Sequence, residues 1–374
     1  MRTNDLGGHS MAQNPFTPTF GKSPAVLAGR DQLIQEMELA LESGGGDPNL
    51  CSLFSGPRGV GKTVLLSYLA SRAEAFGWVS VNVTARPGML EDIIERATEA
   101  ADEFVERSTS PRLTAFTVSG LFGATWQYRD PSTGNWRTRM NKLLNTLAEH
   151  EIGLLITIDE LDPGLEELVD FAATYQHFVR EDRRVALFMA GLPINVSTLL
   201  SNRSVSFLRR AAQHPLGRID DYDVREAFRI TIADAGKHID EDALDVAVAA
   251  TDGFAYMMQL VGFRTWNVAG SEDVIVRDHV ERGSELAVQT FINGVVKKTC
   301  QELSDGDLAF LEAMLPDGEG PSKMADIAER MGKSTSYARV YRSRLLEQGI
   351  IAAPRRGYVE FSLPLLRDYL TGTE

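Results

Sequence analysis

The sequence predicts an α/β protein in three parts: a mostly parallel sheet covered by helices on both faces, a small helical region, and a terminal module of three helices and a two-stranded ribbon. Three observations predict it. Short apolar runs alternate with helical periodicity in the first part of the chain. After about Asp220 only helical periodicity continues. From Leu303 to Leu370 the character changes again, and two short β-prone runs flank Pro354-Arg355-Arg356-Gly357.

In chain order, Met1–Ser10 reads as a leader or floppy end, and Pro15–Pro24, rich in Pro, Thr and Gly, as an extended arm. Arg30–Glu42 places Leu33, Ile34, Met37 and Leu41 at helical spacing and stops at Ser43-Gly44-Gly45-Gly46. Leu50–Phe54, Trp78–Val83, Gly153–Asp159 and Val185–Ala190 read as strands. Lys62–Phe76, Leu90–Val105, Trp136–His150 and Leu165–Arg180 read as the helices between them. This alternation is the pattern of a parallel sheet buried on both faces. Pro111–Asn135 breaks the rhythm and reads as an insertion; the aromatics Phe116, Phe122, Trp126, Tyr128 and Trp136 are expected to pack locally.

Asp223–Ala235, Glu241–Ala250, Tyr256–Val268 and Val274–Asn293 read as four helices. The tail gives helices at Asp307–Leu315, Lys323–Met331 and Ser336–Gln348, then strands at Ile350–Ala353 and Tyr358–Ser362. With 374 residues the chain exceeds one ordinary core. The expected division is 1–23 as arm or leader, 24–220 as the sheet domain, 221–300 as a helical lid and 301–374 as a winged helix.

Composition bounds the chemistry. Hydrophobic residues at 43% and charged residues at 24% are those of a globular protein. The net charge of −14 repels nucleic acid at long range, so any such contact needs a local basic face. Two distant cysteines, Cys51 and Cys300, fit a reducing, cytoplasmic setting. The longest apolar run, Leu154–Ile158, is strand-sized rather than membrane-spanning. The six histidines lack metal-hydrolase spacing, there is no Gly-x-Ser-x-Gly elbow, and Cys51 sits in an apolar strand.

One motif carries chemistry. Gly56-Pro57-Arg58-Gly59-Val60-Gly61-Lys62-Thr63 matches G-x-x-x-x-G-K-[ST] between a strand and a helix. Gly56, Gly59 and Gly61 let backbone N–H groups turn inward around phosphates, and the following helix adds its positive end. Lys62 would reach the β- and γ-phosphates and Thr63 would ligate Mg²⁺, so Gly56–Val64 is the expected ATP-binding run, with Val64 as its last residue. The strand Leu154–Ile158 ends in Asp159 and Glu160. Two carboxylates there suit Mg²⁺ (Asp159) and activation of the attacking water (Glu160).

The glycine loop, acidic strand end, helical lid and terminal winged helix, in that order, resemble AAA+ ATPases, and most nearly their replication-initiator-like and STAND-type branches, including bacterial ATPases of that build. The resemblance runs from about Pro15 to the end. It implies that Val26-Leu27-Ala28-Gly29-Arg30-Asp31 lies beside adenine, and that an arginine finger comes from Arg209 or Arg210, acting in a homo-oligomer. Arg180, Arg183 and Arg184 are rival candidates, and plain solvated arginines are the alternative. The chain departs from the family where Met189-Ala190-Gly191-Leu192-Pro193 holds no polar sensor, and where Gly253-Phe254-Ala255-Tyr256 lacks the sensor arginine, with Arg264 a distant substitute.

In the tail, Ser336–Gln348 would be a recognition helix carrying Arg339, Arg342 and Arg344, with Lys333 before it and Arg355 and Arg356 at the wing tip. From Met331 to Tyr358 there are six basic residues and one acidic, a local charge of +5. Such a face suits the phosphates of double-stranded DNA, and protein docking is the other reading. The expectation is thus an ATPase that uses Mg-ATP to move a lid and a DNA-engaging module; the alternative is a nucleotide-gated scaffold with little turnover.

Overall fold

The computed structural model describes residues 13–19, 23–109 and 135–372. Phe116, Phe122, Trp126 and Tyr128 of the expected insertion, and Met1–Ser10, lie outside the described residues. The chain divides into two compact units: Leu33–Ser55 with Leu65–Pro215, and Met1–Gln32 with Gly56–Val64 and Leu216–Glu374.

The first unit is the sheet. Its elements are α1 (Asp31–Ser43), β1 (Cys51–Ser55), α2 (Lys62–Ala73), β2 (Trp78–Thr84), α3 (Met89–Thr109), α4 (Trp136–Glu149), β3 (Gly153–Asp159), α5 (Glu166–Arg180), β4 (Val185–Gly191), α6 (Pro193–Ser201), a 3₁₀ stretch Arg203–Arg210 and β5 (Ala212–Pro215). The strands form one sheet in the order β2-β3-β4-β1-β5, every pair parallel. β3 and β4 are buried along nearly their whole length because helices cover both faces. One face packs Ile93, Met140, Leu144, Phe171 and Phe178 against Leu154, Ile156 and Leu187. Each such side chain taken from water stabilises the fold by about 1.5–3 kcal/mol.

Two tryptophans fix the layers. Trp78 Nε1 donates to the Leu41 carbonyl at 2.8 Å, and a Cβ on Gly153 would overlap its ring. Trp136 donates to the Leu90 carbonyl at 2.7 Å and meets Phe171 edge-on at 5.7 Å. Trp136 therefore belongs to the core rather than to packing local to the insertion.

β5 was not expected from the sequence. Its residues alternate between half-buried and exposed at the sheet edge and end in proline, so no apolar run marks them.

The second unit is helical. It contains α7 (Asp221–Asp234), β6 (His238–Ile239), α8 (Glu241–Thr251), α9 (Ala255–Ala269), β7 (Val274–Ile275), α10 (Arg277–Phe291), a π turn Ile292–Val296 and α11 (Lys297–Glu302). α9 packs against both α8 and α10, and Gly283 permits the α9–α10 approach because a Cβ there would overlap Thr265. Residues of the expected arm lie on α9: Phe16 is buried against Gly262, and Asn14 Nδ2 donates to the Phe263 carbonyl at 3.0 Å. The reading of Val274–Asn293 as one helix is corrected. Val274 and Ile275 instead pair in parallel with His238 and Ile239, so strands do not stop at Asp220. Two-residue strands leave no periodicity to read.

The same unit ends in α12 (Asp305–Glu312), β8 (Ser322–Lys323), α13 (Met324–Arg330), α14 (Thr335–Glu347), β9 (Ile351–Ala352), β10 (Tyr358–Phe361) and α15 (Leu366–Thr371). The three helices and ribbon are those the sequence predicts, with β8 added to give a sheet ordered β8-β10-β9. Along the chain this module runs helix–strand–helix–helix–strand–strand. Its start is set by Ser304, whose hydroxyl and backbone N–H exchange hydrogen bonds with Asp307 in a capping box.

Candidate functional site

β1 leads out of the sheet at Ser55, and the glycine loop follows. Gly59 and Gly61 adopt φ of +82° and +91°, the left-handed region that side-chain-bearing residues avoid. Gly56 is required for a different reason: a Cβ there would overlap the Leu216 carbonyl. The loop also touches the start of α9. Tyr256 N–H donates to the Gly59 carbonyl at 3.2 Å, and a Cβ on Gly61 would lie 3.6 Å from Ala255.

Lys62 Nζ donates to the carbonyls of Gly56 and Pro57, both at 2.7 Å. The ammonium thus lies over the loop at its mouth, while α2 begins at the same residue. Val60 is buried and the Arg58 side chain is exposed, with its Nε donating to the Gln348 carbonyl at 2.9 Å. Thr63 is exposed and Val64 half-buried.

Asp159 and Glu160 stand at the carboxyl end of β3, on the same sheet edge as Ser55. The Glu160 N–H donates to Asp159 Oδ1 at 2.8 Å, and Glu160 adopts φ of +54°. A non-glycine residue in that region is strained and is held by its surroundings. What holds it is Leu161, whose N–H donates to the Ala190 carbonyl at 3.0 Å and whose own carbonyl accepts from Asn195 Nδ2 at 2.7 Å. Leu161 also fills the place of a side chain at Gly191, where a Cβ would come within 2.9 Å of it. That packing is why β4 ends without a polar residue.

The candidate arginines separate by use. Arg184 is tied to the carbonyls of Phe76 and Glu151 and lies over the Trp78 ring, and Arg183 pairs with Glu181. Both precede β4, at the sheet's amino edge, so they serve the fold there. Arg180 is exposed at the end of α5. Arg209 Nε donates to the Leu200 carbonyl at 2.9 Å, whereas Arg210 is exposed without a hydrogen bond or ion pair among the described residues. Arg264 donates to Thr290 on α10.

Sequence reasoning missed three residues here. Asn195 anchors the turn after Glu160. Arg218 pairs with Asp252 and stacks 5.1 Å from the Phe254 ring. Gln348 meets Arg58. None carries a spacing signal, because each acts through a tertiary contact. The expected adenine-side residue Arg30 donates to the Gly217 carbonyl at 3.0 Å. Burial lowers the pKa of its guanidinium and Asp223 opposes that shift.

The basic face of the tail is not uniform. Arg344 forms a 3.0 Å ion pair with Asp307, which is fully buried. Lys333 lies over the Tyr337 ring and Arg355 over the Tyr358 ring at 3.9 Å. Arg339, Arg342 and Arg356 form no ion pair among the described residues. Burial pushes the Cys51 thiol up to about 12, consistent with an inert core cysteine. Among the described residues no helix is long and apolar enough to cross a membrane.

A family model described as a domain of unknown function, DUF8462, matches residues 293–370, the terminal module and the turn before it. No curated protein matches the chain. Among solved structures it is similar to the Walker-type ATPase PABY2304 of Pyrococcus abyssi, with a TM-score of 0.63 and 14% identity over 91% of this chain and 95% of that one. It is also similar to the Aeropyrum pernix ORC2 protein in ADPNP–ADP complexes, with a TM-score of 0.62 and 14% identity over 95% of each chain. The ADP form of that protein gives 0.55 at 14% identity, over 95% of this chain and 96% of that one. At such identity the likeness speaks for architecture alone, and with the five-stranded parallel sheet and its helical additions it gives this chain an α/β fold of the P-loop NTPase kind.

Proposed function

We propose that this chain binds Mg-ATP at Gly56–Val64 and uses it to switch the lid, residues 221–300, and a winged helix, residues 301–374, that engages DNA. The observation that carries the reading is the loop itself: two left-handed glycines, a third with no room for a Cβ, and a lysine ammonium over its mouth. That cradle suits a phosphate. Structures similar in fold were solved with ADPNP and ADP, which supports the same ligand.

The residues also suit the metal. Among the described residues no group of three or more His, Cys, Asp or Glu could hold an ion alone. Mg²⁺ fits that pattern, since it is held by one or two side chains together with substrate phosphates. Thr63 and Asp159 supply the hard oxygens. When bound, the ion neutralises charge on the phosphate oxygens. Lys62 and the loop amides hold the phosphates, and Glu160 orients and deprotonates the water. In a homo-oligomer Arg210 is the freer of the two finger candidates, because Arg209 is spent on Leu200.

A second reading has its own support: a nucleotide-gated scaffold with slow turnover. The end of β4 is filled by Gly191 against Leu161, with no polar side chain there to sense the γ-phosphate. Turnover assayed with and without DNA, in wild type and Glu160→Gln, separates the two. An ATPase loses turnover in the variant and keeps ATP affinity; a scaffold shows negligible turnover in both. Absence of Mg-ATP affinity in the wild type would end both readings.

A further inference from the structure

Arg58 occupies a position in the loop where the phosphate pattern accepts any residue. Its side chain leaves the loop and donates from Nε to the Gln348 carbonyl at 2.9 Å. Gln348 is the C-cap of α14, so that carbonyl stands at the end of a thirteen-residue helix, where the partial negative charge of the backbone collects. The contact joins the phosphate loop to the helix that carries the basic face. Beside it, Gln348 Oε1 is buried without a hydrogen-bond partner, so the docked arrangement leaves one acceptor unsatisfied.

Like charges also meet along this seam. Asp252, at the end of α8, lies within electrostatic reach of Asp221 on α7 and of Glu319 and Asp368 in the terminal module. Burial raises the Asp252 pKa, Arg218 lowers it, and the like charges of Glu319, Asp221 and Asp368 raise it further. Arg218 is bonded to Asp252 and Arg367 lies 3.5 Å from Glu319, so the nearby cations are already engaged. The lid passes into the module through the π turn Ile292–Val296, where Gly294 has open space around it. Single π turns inside helices are frequently found at functional sites.

We infer that Arg58 is a phosphate-responsive latch: in the nucleotide-free chain it holds the terminal module to the loop, and a nucleoside triphosphate draws it away and frees α14. The direction follows from the acceptors. A guanidinium on a neutral carbonyl has one ionised partner and one bond, whereas on a phosphate both partners are ionised and the contact can be bidentate, so the phosphate is the stronger acceptor. A triphosphate in the loop would bring several such oxygens to the residue's own backbone. The inference rests on the loop being a triphosphate site.

The test uses the full chain with Cys51→Ala and Cys300→Ala, spin-labelled at Asp234→Cys on α7 and Ser343→Cys on α14, both exposed positions. Pulsed electron–electron resonance reads the distance, and calorimetry on the same samples reads Mg-ATP affinity. The nucleotide-free protein should give one narrow distance. Mg-ATP should move or broaden it, and Arg58→Ala should do so without nucleotide; Arg58→Lys, which keeps the charge but not the planar fork, should retain part of the narrow peak. An unchanged distance in Arg58→Ala overturns the latch even where calorimetry shows tight binding. An unchanged distance on saturation with Mg-ATP overturns the phosphate response. No calorimetric affinity, with a shift in Arg58→Ala, overturns the proposal through the nucleotide reading and leaves Arg58 a fixed clamp.

Discussion

The phosphate loop and the basic face of α14 are both regions whose residue types point to a negatively charged ligand, yet they are built on different terms. In the loop the backbone dictates each identity: Gly59 and Gly61 by positive φ, Gly56 by the Leu216 carbonyl, and Lys62 by its span across the turn. On α14 the charges look alike in sequence but do different work. Arg344 neutralises a fully buried aspartate, while Arg339, Arg342 and Arg356 have no ion-pair partner among the described residues. A count of charges therefore overstates the surface available to a negatively charged ligand. A glycine pattern does not overstate the loop, because no other residues can trace that path.

The largest expected effect tests the loop. Lys62→Ala should reduce ATP affinity by about 100-fold, the loss of roughly 3 kcal/mol of charge-assisted bonding, read by calorimetry. Gly56→Ala should do at least as much and also lower the melting temperature, since its Cβ meets backbone rather than a movable side chain. An intact Gly56→Ala site would break the claim that the backbone dictates the loop.

Core packing offers a scale for the next effect. Phe171→Ala should destabilise the sheet unit by about 3–5 kcal/mol in denaturant titration. Phe171 is fully buried and meets Trp136 and Tyr175.

The division among the α14 arginines gives the sharpest contrast. Arg344→Ala leaves Asp307 buried with its counter-ion gone, so it should lower the stability of the terminal module. Removing one partner of a buried pair costs about 3–5 kcal/mol; Arg344 is 45% exposed, so about half that is expected here. Arg339→Ala and Arg356→Ala should leave the melting temperature alone. Each should instead lower the slope of DNA affinity against salt by about 1. If all three variants weaken DNA binding equally without loss of stability, the contrast fails.

The smallest effect concerns pH. His214 on β5 is partly buried, stacks on Phe54 at 5.2 Å and contacts Ser52 at 3.3 Å. Burial lowers its pKa below the usual 6.5, against a weaker upward pull from Glu36. The unfolded chain therefore binds the proton more readily, and stability should fall as pH drops below about 6.5, levelling off beneath the folded pKa. His214→Gln should flatten that part of the profile of melting temperature against pH.

Much of the fold was legible in advance. β1 to β4 announced themselves as apolar runs because strands buried on both faces have no polar side to vary. Trp136 was legible as the start of a helix but not as a core residue, since only the fold brings it against Phe171 and Phe178. β5, β6 and β7 were invisible: Ala212–Pro215 lies half-exposed on an edge, and the other two are two residues long. Asn195 and Arg218 were not legible as parts of the site, because their roles come from Leu161 and Asp252, remote in sequence.

By itself the sequence determined the alternation of β1 to β4 with their helices, the glycine loop and the acidic end of β3. These are local matters, fixed by apolar period, by φ and by adjacency along the chain. Tertiary structure alone decided the strand order β2-β3-β4-β1-β5, the strained φ at Glu160, which arginine pairs with Asp307, and the reach of Arg58 to Gln348. The physical reason is that a charge or a hydrogen bond has meaning only with its partner, and those partners lie up to 290 residues away.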